Sequence, residues 1–417
     1  MNLHMPKLPV DPAETRRTMQ EPRAPEPVSA GLPLSLGIAC VLAVGMDLRP
    51  GIASIGPLLP KLNEAFGISY AQAAFLTSIP PFLMGLLALP APLLAHRFGR
   101  NRMIIAAMIL ITLATAARAL SGTSLVLFLT TAGVGMGIAV AGALIGGFVK
   151  SNYPRQAALF MGLYAMSLGL GATISAALTG PLSDFAQDWR VGAGVWVLPG
   201  VTAIAAWCVI ARRESALAAV VPVAAPRAAL PVRSGAAWRI AFYFAANNIL
   251  FFGFLTWLVP LYLDRGQDTA TAGLILTSFT IAFMCANPLP GLIGGGKDRR
   301  VQIGMAAAIA LAGILGVALL PGTLTFLFVP AVAVGVGSSF TLGMTLPLDH
   351  TSSPQEANAW NALVLAFGYG LGALGPLLVG LLYTWSGGFG LPLLFLGGTA
   401  VLMLGMTPLL RGDRPAA

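Results

Sequence analysis

Residues 76–90 read LTSIPPFLMGLLALP, and residues 276–290 read LTSFTIAFMCANPLP. The two segments share an opening Leu-Thr-Ser, a central methionine and a closing Leu-Pro at an offset of 200 residues. Further matches follow in the same order and at nearly the same offset, and they pair 134–137 with 334–337 and 169–172 with 370–373. Because one offset explains all of these matches, the second half of the chain is predicted to repeat the first.

Each half consists mainly of long apolar runs. Hydrophobic residues make up 57% of the 417 residues and charged residues only 9%, whereas soluble domains carry about 25% charged residues. A bilayer core is crossed by about 20 apolar residues of helix, and long uninterrupted runs favour helices over barrel strands. The sequence therefore predicts an all-α membrane protein with twelve transmembrane helices in two six-helix pseudo-repeats. The predicted centres of the spans are Gly45, Leu83, Ile111, Ile138, Leu170, Gly200, Phe251, Ala282, Leu311, Val334, Gly370 and Ala400.

The basic residues predict how the chain is oriented in the membrane. With both termini in the cytoplasm, the outer connections hold only Lys61, Arg118, Arg190 and Arg265, and Arg49 lies within a span. All other lysines and arginines then fall on the cytoplasmic side, as the positive-inside rule requires. The formal net charge of +9 is thus explained by attraction to anionic lipid. We expect a multi-pass protein of the inner cell membrane whose partner is the lipid bilayer and not a nucleic acid.

Composition shifts divide the chain into five segments. Residues 1–30 are polar and rich in proline, so they predict a disordered cytoplasmic tail and lack the apolar region of a signal peptide. The six-helix halves are predicted at 31–211 and 237–410. Residues 212–236 contain prolines and arginines and predict a flexible cytoplasmic linker, and residues 411–417 form a second cytoplasmic tail.

The sequence contains no constellation that is typical of an enzyme. His4, His96 and His350 are scattered, and the three cysteines lie inside apolar runs. The glycines of 133–137 could suggest a nucleotide loop, but no strand precedes them and they lie in a predicted span. Small residues at this spacing let helices pack closely in lipid. We therefore expect no enzyme activity, no metal and no cofactor.

Three stretches resemble one family of membrane proteins. LRPGIASIGPLLP at 48–60, MGLY at 161–164 and TWLVPLYL at 256–263 are similar to the first, fifth and seventh helices of the cyanate/nitroimidazole porter (CynX/NimT) family, within the major facilitator superfamily. The resemblance covers nearly all of the chain after residue 30. It implies the major facilitator fold and a small-molecule substrate, carried by alternating access along a path between the halves. We also expect the protein to be a monomer.

The chain departs from the usual pattern of the superfamily in three places. HRFGR at 96–100 carries His96 where an acidic residue usually precedes the arginines, so gating by Arg97 and Arg100 lacks its usual acidic partner. Leu129 stands where the fourth helix often carries an arginine, and the fifth helix lacks the Gly-Pro motif of drug–proton antiporters. The last two departures argue against a proton-coupled drug exporter.

Arg49 is the strongest candidate for a substrate-binding residue. It lies in the apolar stretch 32–59, where a buried charge costs about 2.5–3.5 kcal/mol and normally faces a cavity or a partner. Pro50 predicts a break in the helix beside it. The alternative is that the helix ends near Leu48 and Arg49 extends to the outer interface.

Asp47 lies two residues away and does not share a helical face with Arg49. It either reaches Arg49 through the distortion at Pro50, pairs with another residue or carries a proton.

Polar and aromatic residues in other spans complete the set of candidates. Amides in an apolar span need partners, so they either line a cavity or join helices to each other. The predicted substrate-binding residues besides Arg49 are Tyr164, Asn247, Asn248, Trp257, Trp360 and Asn361. The predicted coupling and gating residues are Asp47, Pro50, Arg97, Arg100 and Asp349.

These candidates support two functions of different kinds. Arg49 favours a transporter of a small anion or small polar organic solute of the cyanate type, because charges attract more strongly in a low-dielectric cavity than in water. The alternative is an exporter of neutral nitroaromatic or other toxic compounds, with Trp257 and Trp360 in its pocket. A membrane-embedded enzyme or channel is a third class, against which the internal repeat argues.

Overall fold

Long apolar runs become helices in this chain because a helix satisfies its backbone hydrogen bonds without water. The structure is a computed structural model that describes residues 32–68, 70–218, 228–294, 298–320, 322 and 324–411. The predicted N-terminal tail, residues 219–227 of the predicted linker and the chain after Arg411 lie outside the described residues.

Helices follow one another along both repeats with short connections. Those of the first repeat are α1 (Leu34–Asp47), α2 (Pro50–Ala53), α3 (Ile55–Phe66), α4 (Tyr70–Ala88), α5 (Ala91–Phe98), α6 (Arg100–Ala119), α7 (Ser124–Asn152), α8 (Ala157–Phe185), α9 (Trp189–Gly194) and α10 (Val197–Ala218). Those of the second are α11 (Gly235–Asp264), α12 (Thr269–Ala286), α13 (Leu289–Leu292), α14 (Arg300–Leu319), α15 (Thr325–Asp349), α16 (Pro354–Gly372), α17 (Leu374–Ser386) and α18 (Gly390–Met406).

The predicted fold class is confirmed. All twelve predicted span centres lie within helices. Eleven segments of the described chain are long and apolar enough to cross a membrane, and α4 with α5, bent by 60° relative to each other, supplies a twelfth when counted as one span. Helices α6 and α14 begin and end 200 residues apart, in agreement with the repeat.

Glycines of the repeated motifs allow helices to touch. A Cβ atom at Gly137 in α7 would lie 2.7 Å from the carbonyl oxygen of Ala107 in α6. A Cβ at Gly337 in α15 would lie 2.6 Å from the carbonyl oxygen of Phe283 in α12. Both distances are shorter than a van der Waals contact, so these glycines serve close helix packing and do not form a nucleotide loop.

The two halves are joined by hydrogen bonds at one face of the molecule. The backbone N–H of Gly147 in α7 donates to Oδ1 of Asn358 in α16 over 2.8 Å, and Nζ of Lys150 donates to the carbonyl of Leu348 in α15. We call this end the linker face, because α10 ends and α11 begins there. The other end, where Lys61 and Asp184 form an ion pair of 2.6 Å, is called the opposite face.

The positive-inside rule predicts that the linker face is cytoplasmic. In a chain whose three cysteines are replaced by serine, we expect Ala229→Cys on the linker face to resist a membrane-impermeant thiol reagent in intact cells. Ser386→Cys on the opposite face should react readily, because both positions are exposed. Labelling of permeabilised cells is the control, and the reverse pattern in intact cells would show that the orientation is inverted.

Candidate functional site

A cavity of about 280 Å³ lies between the two halves, on the opposite-face side of their hydrogen-bonded contacts. Helices from both repeats form its wall, which is mostly apolar. The polar residues on this wall are Arg49, Thr173, Asn248, Thr280 and Tyr369. Its aromatic residues besides Tyr369 are Phe251, Phe252, Phe283 and Phe340. Such a site, apolar with a few polar groups and built between two halves, is typical of small-molecule binding.

Arg49 lies where the first span is interrupted. Helix α1 ends at Asp47, and α2 begins at Pro50 with Arg49 as its N-cap. Proline is accommodated at this first position because the N–H it lacks would have no helical partner there. The half-buried guanidinium of Arg49 lines the cavity, and its Nη2 donates to the hydroxyl of Tyr369 over 3.4 Å. Arg49 therefore occupies a cavity between the halves and not the outer interface.

Arg49 has no acidic partner in the part of the chain that the structure describes. Asp47 is 2% exposed and belongs to a different surface of the helix. Its Oδ1 would lie 3.1 Å from a Cβ at Gly200 in α10, and its Oδ2 has no hydrogen-bond partner in the described part of the chain. Asp47 thus points into its own half, as the spacing of two residues requires. The positive charge of Arg49 remains uncompensated in the cavity.

Two other predicted binding residues lie close to Arg49. Tyr164 of α8 lines a smaller void, of about 20 Å³, that is also lined by Arg49 and Tyr369. Asn248 of α11 lines the main cavity, where its Nδ2 donates to the carbonyl of Phe244 over 2.9 Å and its Oδ1 has no partner. The carbonyl oxygen of the Asn248 amide is buried, so the side chain would have to turn toward the cavity before this oxygen could accept a hydrogen bond from a solute.

The two predicted tryptophans lie outside the cavity. Nε1 of Trp257 donates to the carbonyl of Pro376 over 2.9 Å, so the indole joins α11 to α17 within the second half. Trp360 stacks on His350 with ring centroids 5.7 Å apart, near the linker face. Helical rotation explains the first case: Trp257 follows Leu255, a cavity residue, by two positions and so points away from the cavity.

The two remaining amides also lie away from the cavity. Asn247 is fully buried in the second half, and neither polar atom of its side chain has a hydrogen-bond partner among the described residues. Asn361 contacts α7, where its Nδ2 would lie 1.6 Å from a Cβ at Gly146. Asn361 thus packs between the halves, and its amide serves helix contact there.

Arg100 has an acidic partner even though His96 replaces the usual one. Its Nη2 donates to both carboxylate oxygens of Glu214 in α10, over 2.7 and 2.8 Å. Its Nη1 donates to the carbonyl of Gly147 over 3.1 Å, beside the N–H that bonds to the second half. One guanidinium nitrogen thus contacts both oxygens of the carboxylate, and hydrogen bonds between two charged groups are shorter and stronger than those between neutral groups. Glu214 was not predicted as a site residue because residues 212–236 were predicted to be a linker, whereas α10 continues to Ala218.

The other predicted gating charges differ in their surroundings. Arg97 is exposed, and its guanidinium lies 5.3 Å from the ring centre of the neighbouring Phe98. Asp349 pairs with Arg299 over 2.5 Å at the linker face, and both side chains are about nine-tenths buried. The pair of Asp349 therefore stabilises the second half, while the pair of Arg100 stabilises the first.

Arg118 is a further site residue, which the sequence analysis assigned to an outer connection. It is only 2% exposed at the end of α6. Its Nη1 donates to the carbonyl of Gly51 in α2 over 2.6 Å, and its Nη2 donates to the hydroxyl of Thr131 over 3.2 Å. Arg118 therefore holds the backbone two residues after Arg49. The sequence alone does not show whether the side chain of a charged residue near the end of a span is buried or exposed.

Residues 38–373 match the Major Facilitator Superfamily. The chain belongs to this superfamily and is a multi-pass membrane transporter. Among its relatives, the cyanate transport protein CynX of Escherichia coli K12 is 29% identical over 349 residues, which are 84% of this chain and 90% of the relative. The 2-nitroimidazole transporter of the same organism is 29% identical over 371 residues, 88% of this chain and 92% of the relative.

Solved structures share the fold at low sequence identity. The transporter FucP in its outward conformation has a TM-score of 0.71 at 14% identity, covering 90% of this chain and 99% of FucP. The human organic anion transporter MFSD10 has a TM-score of 0.69 at 16% identity, covering 90% of this chain and 100% of MFSD10. These likenesses establish the arrangement of helices.

Proposed function

We propose that this protein is a secondary transporter that moves a small anion, or a small polar organic solute of the cyanate type, by alternating access. The observation that carries the proposal is the position of Arg49, a cation that has no acidic partner among the described residues and lies in a mostly apolar cavity between the halves. The hydrogen bond described for Arg49 is donated to the neutral hydroxyl of Tyr369. An anion can replace this hydroxyl as the acceptor or bind to the guanidinium beside it. The name of the cyanate transport relative agrees with this chemistry.

The apolar wall strengthens the attraction between Arg49 and an anion. Two unit charges about 4 Å apart attract by about 1 kcal/mol in water and by about 4 kcal/mol at an effective dielectric constant of about 20. Aromatic and aliphatic side chains keep water away from one side of Arg49. A small anion therefore gains more by entering this cavity than by pairing with an arginine at the surface.

Alternating access requires the contacts at the linker face to open. In the described state the bond from Gly147 to Asn358 and the bond from Lys150 to Leu348 join the halves there. The Arg100–Glu214 pair holds the end of α7 next to the first of these bonds. We place the linker-face gate at these residues and the solute on the other side of it, beside Arg49.

Neutral nitroaromatic compounds are the second candidate substrates. Phe251, Phe252, Phe283 and Phe340 line the same cavity and can stack on an aromatic ring. A nitro group has two oxygens that can accept hydrogen bonds from Arg49. The name of the 2-nitroimidazole relative agrees with this alternative.

A ligand-stabilisation screen on the purified protein tests the proposal. Anything that binds only the folded state raises the melting temperature in a saturable way. We expect cyanate or small carboxylates to do so at constant ionic strength, with chloride and sulfate as the inorganic anion controls. Stabilisation by nitroaromatics alone would favour the second candidate, and stabilisation by none of these compounds would contradict the proposal.

Asp47 is the residue that we propose for coupling. Its carboxyl group is buried in the first half, two residues before Arg49, and its Oδ2 has no hydrogen-bond partner among the described residues. Burial without a partner disfavours the charged form of a carboxyl group, so Asp47 is suited to bind and release a proton. We expect Asp47→Asn to retain substrate exchange across proteoliposomes but to lose accumulation driven by a pH gradient. The matched control is Asp188→Asn, a half-exposed acid on the opposite face. Unchanged gradient-driven accumulation in Asp47→Asn would exclude a coupling role.

A further inference from the structure

A groove of about 580 Å³ runs along the outside of the second half, away from the substrate cavity. The end of α11, the end of α14 and the first half of α18 form its sides. Three glycines of α18, Gly390, Gly397 and Gly398, line it. A Cβ at Gly390 or at Gly398 would meet nothing within 4 Å, so the groove is open at these positions.

The walls of the groove face lipid. Leu315 and Leu319 of α14 are 47% and 72% exposed, and Leu394 and Val401 of α18 are 71% and 54% exposed. All four residues line the groove. Exposed aliphatic side chains on a transmembrane helix are covered by acyl chains, and a recess between such side chains fits one chain better than a flat helix surface does.

The end of the groove at the opposite face carries two opposite charges. Nη2 of Arg265 donates to the carbonyl of Val317 over 2.8 Å, which holds the guanidinium at this end of the groove, and its buried Nη1 has no hydrogen-bond partner among the described residues. The neighbouring Asp264 is exposed, and its Oδ1 accepts from the hydroxyl of Tyr383 over 3.4 Å. Both charged residues line the groove.

These charges lie at the depth of the membrane interface. Helix α11 ends at Asp264, α14 ends at Leu319 and α18 begins at Gly390. The ends of spanning helices meet the head groups of the bilayer, and basic residues between spans bind lipid phosphates. A cation and an anion side by side complement a head group that also carries both charges.

We propose that this groove binds one phospholipid whose zwitterionic head group contains a primary ammonium. The phosphate lies against the guanidinium of Arg265 and pairs with its charge, the ammonium donates to Asp264, and one acyl chain lies along the glycines of α18. An anionic lipid would satisfy Arg265 but would be repelled by Asp264. The pairing of the two charges thus selects the zwitterionic lipid.

Filling the groove tests where the acyl chain lies. Gly398→Leu places a side chain in the groove at a position where a Cβ meets nothing within 4 Å, and Gly405→Leu is its matched control on the same helix. Gly405 is not a lining residue of the groove, and a Cβ there also meets nothing within 4 Å. Native mass spectrometry of protein purified with phosphatidylethanolamine should show one retained lipid for the wild type and Gly405→Leu, and loss of that lipid for Gly398→Leu.

Head-group exchange tests the role of the two charges. We expect the wild type to retain phosphatidylethanolamine over phosphatidylglycerol with the same chains by about fivefold, the upper range for exposed ion pairs. Asp264→Asn should remove this preference, and Arg265→Gln should weaken retention of both lipids.

Equal retention of the lipid by Gly398→Leu and the wild type would overturn the proposal. So would a dimer of the wild type that Gly398→Leu dissociates, because a second copy would then occupy the groove.

Discussion

Arg49→Ala is expected to lower the affinity for the transported anion about a hundredfold or more, to the point where saturable binding is lost. Hydrogen bonds to a charged group contribute about 1.5–3 kcal/mol each, and 1.4 kcal/mol corresponds to a factor of ten. Arg49→Gln should lose nearly as much, because it donates hydrogen bonds without the charge. Arg49→Lys should retain weak binding, since it keeps the charge but lacks the planar fork that holds an anion with two bonds. Binding is measured by titration calorimetry on equal concentrations of the purified variants.

The Arg49 variants are compared with Arg102→Gln, which removes an exposed arginine on the linker face. This control should bind the anion like the wild type, so that a general effect of net charge is excluded. A neutral substrate would give a different series, in which Arg49→Gln retains much of the affinity. Wild-type affinity in Arg49→Ala would show that the cation does not bind the substrate.

Arg118→Met is expected to lower the anion affinity about tenfold while the protein remains folded. Methionine fills much of the same buried space, but it leaves the carbonyl of Gly51 and the hydroxyl of Thr131 without their donor. A buried group that loses its partner costs about 1–3 kcal/mol, and the released segment includes the N-cap position of Arg49. Arg118→Lys should recover part of the affinity by restoring one hydrogen bond.

Arg190→Met is the matched control for Arg118→Met. Arg190 also donates to a backbone carbonyl near the opposite face, that of Ser121 over 3.2 Å, but it does not contact α2. We expect its loss to leave affinity unchanged. If both variants reduced the melting temperature equally and neither changed affinity, Arg118 would have a structural role only.

The helices were predictable because a span of lipid requires a long apolar run, and these runs are visible without any knowledge of contacts. Arg49 was predictable for the same reason, since one charge and one proline stand out within such a run. Asn248 and Tyr164, two further predicted binding residues, each line a void that Arg49 also lines. Their selection needed only the rule that polar groups in a span require partners.

The rest of the site depends on which face of each helix turns inward, and apolar sequence hides that choice. Asn248, Phe252 and Leu255 line the cavity at spacings of four and three residues, which place them on one helical face. The same periodicity directs Trp257 elsewhere. The phenylalanines were missed because an apolar side chain on a cavity wall has the same sequence signal as one facing lipid.

A matched pair of ligands tests most directly whether Arg49 defines an anion site. Acetate and nitromethane have nearly the same shape but differ by one charge, and so do benzoate and nitrobenzene. We predict that the wild type binds each carboxylate at least about tenfold more tightly than its nitro counterpart, which corresponds to about 1.4 kcal/mol. In Arg49→Gln this preference should disappear. Equal or tighter binding of the nitro compounds by the wild type, or a preference for carboxylates that survives in Arg49→Gln, would contradict the account.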